Sequence, residues 1–322
     1  MLGKVPPDLL EALVVSRTGA SDDRVIQGPA YGEDTAAIRL DEGILVVNAD
    51  PISLAVERIG SLGVDVACND IAASGATPEW LTSVVFLPGS SDEVLDAITA
   101  QLDRAASRVG VSIVGGHSEY APALDTPMLV LTCFGFADRY VPTGGARPGD
   151  RLLLTKSAGI EATAILATDF RDLVGDEVPA SVLDRGAEFY DDVSVVTDVA
   201  AVRDDAHAMH DPTEGGLVDG LLELAIASDV GLDVDPDSIP VRDETRRLCR
   251  AAGVDPFRTF GSGALIAAIP EASTAAVTGR LREAGIASSV VGTVREPDGP
   301  RLVLGEETYD EPIRDDMYAL WE

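Results

Sequence analysis

Residues 138–150 place Pro142, Gly144, Gly145, Pro148 and Gly149 between two long stretches of regular apolar patterning. Glycine and proline at that density interrupt both helices and strands, so the segment reads as a linker. It divides the 322-residue chain into a first half, residues 1–140, and a second, residues 141–322. A chain of this length is longer than one core usually supports, which also favours two domains. In each half, short apolar runs of strand length alternate with helix-period runs. That alternation predicts mixed α/β or α+β domains of about equal size.

The first half is organised around residues 63–80. Val64, Ala67, Cys68 and Ile71 fall at the i, i+3, i+4, i+7 spacing of a helix's buried face, and the pattern then runs into Gly75, Ala76, Thr77 and Pro78. Asn69 and Asp70 interrupt it. Asp70 lies beside Ile71 and so close to that face, where a buried aspartate needs a cation or a set of donors. On spacing alone, an exposed residue at the helix edge fits equally well. Upstream, residues 35–40 and 44–49 read as strands joined by a tight turn at Asp41, Glu42 and Gly43. Such a hairpin brings Asp34 and Asp50 to one end. Carboxylates gathered at strand ends beside glycines suit hard, oxygen-seeking Mg2+ better than zinc, and turn aspartates also satisfy backbone amides.

Residues 8–15 read as a short helix and residues 81–87 as a buried strand. Ser90 and Glu93 have capping-box spacing for a helix carrying Val94, Leu95, Ile98, Leu102 and Val109 and closing at Gly110. A short strand at 111–114 is expected to end at Gly115, Gly116 and His117. A glycine pair there lets the backbone approach a ligand and its amides take phosphate oxygens. Residues 128–137 supply another strand. In the second half, 151–155, 263–269, 288–294 and 301–304 read as strands, and 161–168, 181–188, 242–252 and 271–284 as helices. Residues 210–216, from His210 and Asp211 through Thr213 to Gly215 and Gly216, precede a periodic helix with Leu217, Leu221, Leu224 and Ala225. Thr213 is placed to cap that helix, leaving its first-turn amides to face an anion. An ordinary acidic helix start reads the same way.

The net charge is −31, with the acids scattered along the chain, and Lys4 and Lys156 are the lysines. Such a surface repels nucleic acid and anionic membranes. It suits a folded protein in molar salt, where a short Debye length suppresses self-repulsion, so a halophilic, haloarchaeal cytosol is expected. No apolar run approaches the roughly 18 residues that span a membrane. Residues 1–15 hold prolines and acids where an export signal needs basic residues and an unbroken apolar stretch. A cytoplasmic location is expected. Cys68, Cys133 and Cys249, odd in number and widely spaced, indicate neither a disulfide framework nor a zinc site.

Four motifs now stand in order: Gly32, Glu33 and Asp34 within 32–37; Asn69 and Asp70 with 75–78; Gly115, Gly116, His117 and Ser118; and residues 210–216. Together they resemble the superfamily of aminoimidazole ribonucleotide synthetase (PurM), selenophosphate synthetase, thiamine-monophosphate kinase and the hydrogenase-maturation protein HypE. The form of 210–216, with 260–265, is most similar to HypE. The resemblance implies a two-domain PurM-like fold, mixed α+β. Its N-terminal domain pairs with a symmetry mate into a dimeric β-barrel, and its C-terminal domain is α/β. It implies ATP in the groove between domains and Mg2+ on Asp34, Asp50, Asp70 and Asp211, with Asp70 and Asp211 catalytic. Asn69, Gly115, Gly116, His117, Thr213, Gly215 and Gly216 would bind the nucleotide, although several relatives carry Asp or Glu at the place of His117. The implied reaction moves the γ-phosphoryl group of ATP to a carbonyl, amide or phosphate oxygen of a small-molecule or protein-carried substrate. In HypE the activated group is a carbamoyl on a C-terminal cysteine. Residues 318–322 hold none, so the expectation is a HypE-like chain with another substrate. Thiamine-monophosphate kinase chemistry and a non-catalytic nucleotide-binding scaffold are the alternatives.

Overall fold

The computed structural model describes residues 3–322. Its first sheet has seven strands in the order Val25–Gln27, Ala36–Leu40, Gly43–Val47, Met128–Ala137, Thr77–Leu87, Ser112–Tyr120, with Asp50–Ile52 also paired to Met128–Ala137. Thr77–Leu87 and Ser112–Tyr120 run parallel, which requires a crossover. The helix Asp92–Val109 supplies it, and the other pairings are antiparallel. Met128–Ala137 alternates buried and half-buried residues along its whole length, because helices cover one face of this sheet.

The helix expected within 63–80 is Ile59–Ala73, and all of its residues except Ser61 are buried. This corrects the amphipathic reading. The helix has no solvent face, because Leu129 and Leu131 of the sheet, the helix Asp92–Val109 and the segment around Val195 surround it. Gly63 permits the close approach: a Cβ there would lie 2.4 Å from Leu131 Cδ1. The strand expected at 81–87 starts earlier, at Thr77, and takes in Pro78 at a register shift, where a missing N–H is tolerated. The helix cap is Ser91, one residue after the expected Ser90, and it accepts from the Val94 amide at 3.3 Å.

The glycine pair is also displaced from its expected place. Gly115 and Gly116 lie inside Ser112–Tyr120, an edge strand exposed along its whole length, and not at a strand end. Gly116, at φ 150°, is there because the neighbouring backbone leaves no room: an added Cβ would sit 1.9 Å from the Ser83 carbonyl oxygen. Gly116→Ala is therefore expected to lower stability by about 2–3 kcal/mol through forced backbone movement. Gly115→Ala, whose Cβ meets nothing closer than Thr82 Cγ2 at 3.8 Å, should stay near wild type. Paired denaturant midpoints measure the contrast.

The second sheet runs Glu307–Tyr309, Leu302–Leu304, Gly231–Val234, Ser288–Arg295, Arg151–Thr155, Ile266–Ile269, Ala208–His210. The helix Gly216–Ser228 packs against one core, while Val196–Val202 and Thr274–Glu283 pack against another. A further layer is made by Ile160–Thr168, Ala180–Ala187 and Asp243–Ala252. The edge strand Ala208–His210 lies against the helix Ile59–Ala73, so His210 and Asp211 of the second half meet Asp70 of the first. No helix among the described residues is long and apolar enough to cross a membrane.

Candidate active site

Asp34, Asp70 and Asp211 each place a carboxylate oxygen within 4.8 Å of the other two. The hairpin brings Asp34 to the end of its sheet, the buried helix supplies Asp70, and the edge strand of the second sheet delivers Asp211. Asp70 and Asp211 are 2% and 1% exposed. Asp70 is neither an edge residue nor solvated. Asn48 Nδ2 donates to its Oδ2 at 2.7 Å, and Asn48 is itself fixed by the Ala67 carbonyl and the Cys133 amide. Asp211 Oδ2 is buried without a partner.

Burial, and then the charges of Asp50, Asp211 and Asp34, push the Asp70 carboxyl well above the usual carboxylate range. Burial and Asp34 do the same to Asp211, against the opposing His210. Asp34, the exposed member of the three with 43% of its side chain open, is raised to about 6 by partial desolvation at the crevice mouth and by Glu223 and Asp50, with His210 and Lys4 opposing. Three convergent carboxylates, one with a buried oxygen that has no partner, are a donor set that could hold a cation. Hard oxygen donors match Mg2+. Asp50 adds its charge to this group from the strand Asp50–Ile52 but stands outside the triplet.

A cationic side faces the acids. Burial alone would lower the His210 pKa, but the 2.9 Å hydrogen bond to Glu223, with the charges of Glu223, Asp34 and Asp211, raises it to about 9. His210 Nδ1 stands 3.6 Å from Asp34 Oδ2. Lys4 reaches Glu223 at 3.4 Å and Glu214 at 3.5 Å. Residues 3–10 thereby roof a cavity of about 710 Å3 that opens onto Asp34, Asp219 and Tyr318.

Family models match both halves of the chain: "AIR synthase related protein, N-terminal domain" over residues 32–137, and the corresponding C-terminal domain over residues 147–305. Carbamoyl dehydratase HypE of Azotobacter vinelandii is 31% identical over 275 residues, 81% of this chain and 78% of that protein. The chain belongs to the AIR synthase-related family. Thiamine-monophosphate kinase of Halobacterium salinarum is 33% identical over 253 residues, 76% of this chain and 79% of that one. A crystal structure of HypE in complex with ATP superimposes with a TM-score of 0.65 at 27% identity, covering 90% of this chain and 86% of that chain. The PurM-like two-domain fold expected from the motifs is the fold of this AIR synthase-related chain.

The remaining motif residues are placed differently. Asn69 is fully buried, and both ends of its amide are engaged: Nδ2 donates to the Val193 carbonyl and Oδ1 accepts from the Val195 amide. It joins the two halves of the chain and has no free polar atom turned to a ligand. His117 lies on the exposed edge strand, with its ring 3.2 Å from Glu119. Thr213 does not cap the following helix. The cap position is Gly215, whose amide donates to Asp315 Oδ2 at 2.8 Å, while the Thr213 carbonyl accepts from Gly216. A carboxylate from residue 315 thus holds an amide that the sequence reading had offered to phosphate. Sequence reasoning also missed Lys4, Asn48 and Glu223. Glu223 and Asp219, four apart on an otherwise apolar helix, are the signal that pointed to a polar face.

Glu161 lies beside this centre in a small cavity with Asp50, Thr213 and Phe260. It accepts from the Ser262 amide at 3.3 Å. Burial, with Glu214 and Asp315 nearby, raises it to about 7 against the Ser262 hydrogen bonds. A raised carboxyl pKa stabilises the fold below its unfolded value, and the stability is lost as pH rises through the folded one. Wild type should therefore lose stability between pH 4.5 and 7, on the order of 3 kcal/mol. Glu161→Gln, which keeps the acceptor, should lose less than wild type over that window by this amount in thermal melts, the other raised carboxyls keeping their own slope.

Proposed function

We propose that this AIR synthase-related chain is a Mg2+-dependent enzyme that uses ATP to phosphorylate, and so activate, a carbonyl, amide or phosphate oxygen of its substrate. The observation that carries this reading is the convergence of Asp34, Asp70 and Asp211, two of them buried and one with an orphaned oxygen. Asp34, Asp70 and Asp211 would hold the metal, with Asp50 beside them. The metal would supply charge neutralisation for the transferring phosphoryl group. Asn48 orients the Asp70 carboxylate, and Glu223 keeps His210 protonated against Asp34, fixing where positive charge stands before substrate arrives. On the second-half side, Gly215 lines the cavity beneath Lys4 and Thr213 the smaller one beside Glu161, and we assign both, with the adjoining Gly216, to the nucleotide.

We assign Gly115, Gly116 and His117 to nucleotide binding through a homodimer. They sit on an open sheet edge where Ile113, Val114 and Tyr120 are 41%, 59% and 53% exposed, and a second copy closing a β-barrel along that edge would cover them. A carbamoyl carried on a cysteine, as in the HypE reaction, finds no exposed thiol here, since Cys68, Cys133 and Cys249 are all buried. The reading supported by those buried thiols is a substrate other than a carbamoyl carried on this chain's own cysteine. A thiamine-monophosphate kinase activity is the second reading, favoured by the 33% identity to the Halobacterium salinarum enzyme. A non-catalytic nucleotide-binding scaffold has no need of buried, mutually repelling carboxylates. ADP release in molar potassium chloride, with magnesium and with chelator, tests the proposal, and thiamine phosphate dependence tests the second reading. Release that chelator does not diminish removes the metal role.

A further inference from the structure

We propose that a second cavity, lined by none of the acidic-centre residues, is a binding site for a phosphorylated sugar or polyol. It measures about 970 Å3, and Arg108, Lys156, Arg242 and Arg246 border it. Asp191, Asp192, Asp198 and Asp237 border it too, and Asp192 and Asp198 are taken up by Arg242 and Lys156, so that Arg246 is the cation at this opening that is open to a ligand. Lys156 is one of the two lysines in the sequence, and its side chain is 12% exposed. Its backbone takes φ 54°, a left-handed conformation that costs a non-glycine residue about 1 kcal/mol or more. That conformation holds Nζ against the Asp192 and Ser194 carbonyls at 2.9 and 2.7 Å, with Asp198 Oδ1 at 3.5 Å.

The arginines are set in different ways. Arg242 pairs with Asp192 at 2.5 Å and lies over the Phe189 ring, and Arg108 closes on the buried Asp65, so both guanidinium planes are fixed. Arg246, exposed on the helix Asp243–Ala252, has no side-chain partner among the described residues. A fixed arginine beside a free one is an arrangement that matches a phosphate's several oxygens. Deeper in, Ser157 Oγ is a buried polar atom without a hydrogen-bond partner, and Asp198, buried beside Lys156, has that ammonium 3.5 Å from its Oδ1. A buried hydroxyl left unpaired on a cavity wall calls for a polar group to meet it, and the Asp198 carboxylate has lone pairs left to accept from a hydroxyl. Phosphate toward Arg246 and Arg242, with hydroxyls toward Asp198 and Ser157, satisfies both ends of the site.

Calorimetric titration of glucose 6-phosphate into the protein, in molar potassium chloride with magnesium chelated, tests the proposal. Saturable binding is expected, with glucose alone silent. Arg246→Ser, an exposed position that leaves the core intact, should weaken binding about tenfold. Asp34→Asn, at the acidic centre, should leave it unchanged, so the two sites fail or succeed separately. Absence of saturable binding, equal affinity in Arg246→Ser, or loss of binding in Asp34→Asn each overturns the assignment.

Discussion

Asp70→Asn is expected to reduce ATP turnover on the order of 10²–10³-fold while making the metal-free protein more stable. The two effects have one cause. The Asp70 carboxyl is raised well above its ordinary 3.8 by burial and by Asp50, Asp211 and Asp34. Holding it ionised costs stability, a cost absent below its unfolded pKa and growing as pH rises toward and through the folded one. At neutral pH the wild type carries that cost. The asparagine keeps an oxygen to accept from Asn48 Nδ2 but removes the charge. It thereby relieves the repulsion and deletes a metal oxygen, and removal of a preorganised electrostatic group commonly costs this much in rate. Magnesium should raise the melting temperature of wild type by mass action and leave the variant unmoved. Wild-type turnover by the variant in high salt would remove Asp70 from the chemistry.

Dilution out of molar salt is the second large effect expected. With a net charge of −31, lowering salt from about 1 M to about 0.1 M lengthens the screening distance from roughly 3 to 10 Å and lets the scattered acids repel one another. Exposed ion pairs such as Arg24 with Asp22 and Arg171 with Asp184 strengthen on dilution, but pairs of this kind contribute little each. The net result should be a melting temperature that falls steeply as potassium chloride is removed, up to unfolding at room temperature. Circular dichroism melts across a salt series measure it. A melting point independent of salt would contradict the halophilic reading of the composition.

Much of the architecture was legible because it lies in local pattern. The hairpin at 36–47 and the helix closing at Gly110 follow from turn and cap chemistry that acts within a few residues. The meeting of Asp34, Asp70 and Asp211 became legible only through motif order, since residues far apart in sequence carry no local mark of contact. What escaped depends on tertiary context. Short strands such as Asp50–Ile52 and Ala208–His210 are defined by their neighbours, and periodicity has too few residues to act on. Helix Ile59–Ala73 looked one-faced because its far side carries the polar Asp65 and Asn69, yet Leu62, Val66 and Ala73 on that side pack against the second half. The family resemblance assigns Asn69 to the nucleotide, whereas its contacts here are backbone groups of the second half. Which amide it would meet in residues 193–195 is a property of the assembled halves.

That amide has a mechanical consequence. A helix enclosed on every side, carrying a metal-side aspartate and bolted at the preceding residue to the opposite half, leaves the interface no hinge. Separating the halves would expose Val193 and Val195 amide and carbonyl groups and strip Asn69 of both partners. At the surface, by contrast, Lys4 and the residues around it lie over Asp34 on ion pairs of 3.4 and 3.5 Å. A molecule so built keeps the bed under Asp34 fixed and leaves the Lys4 segment as the part of its wall held by ion pairs at the surface.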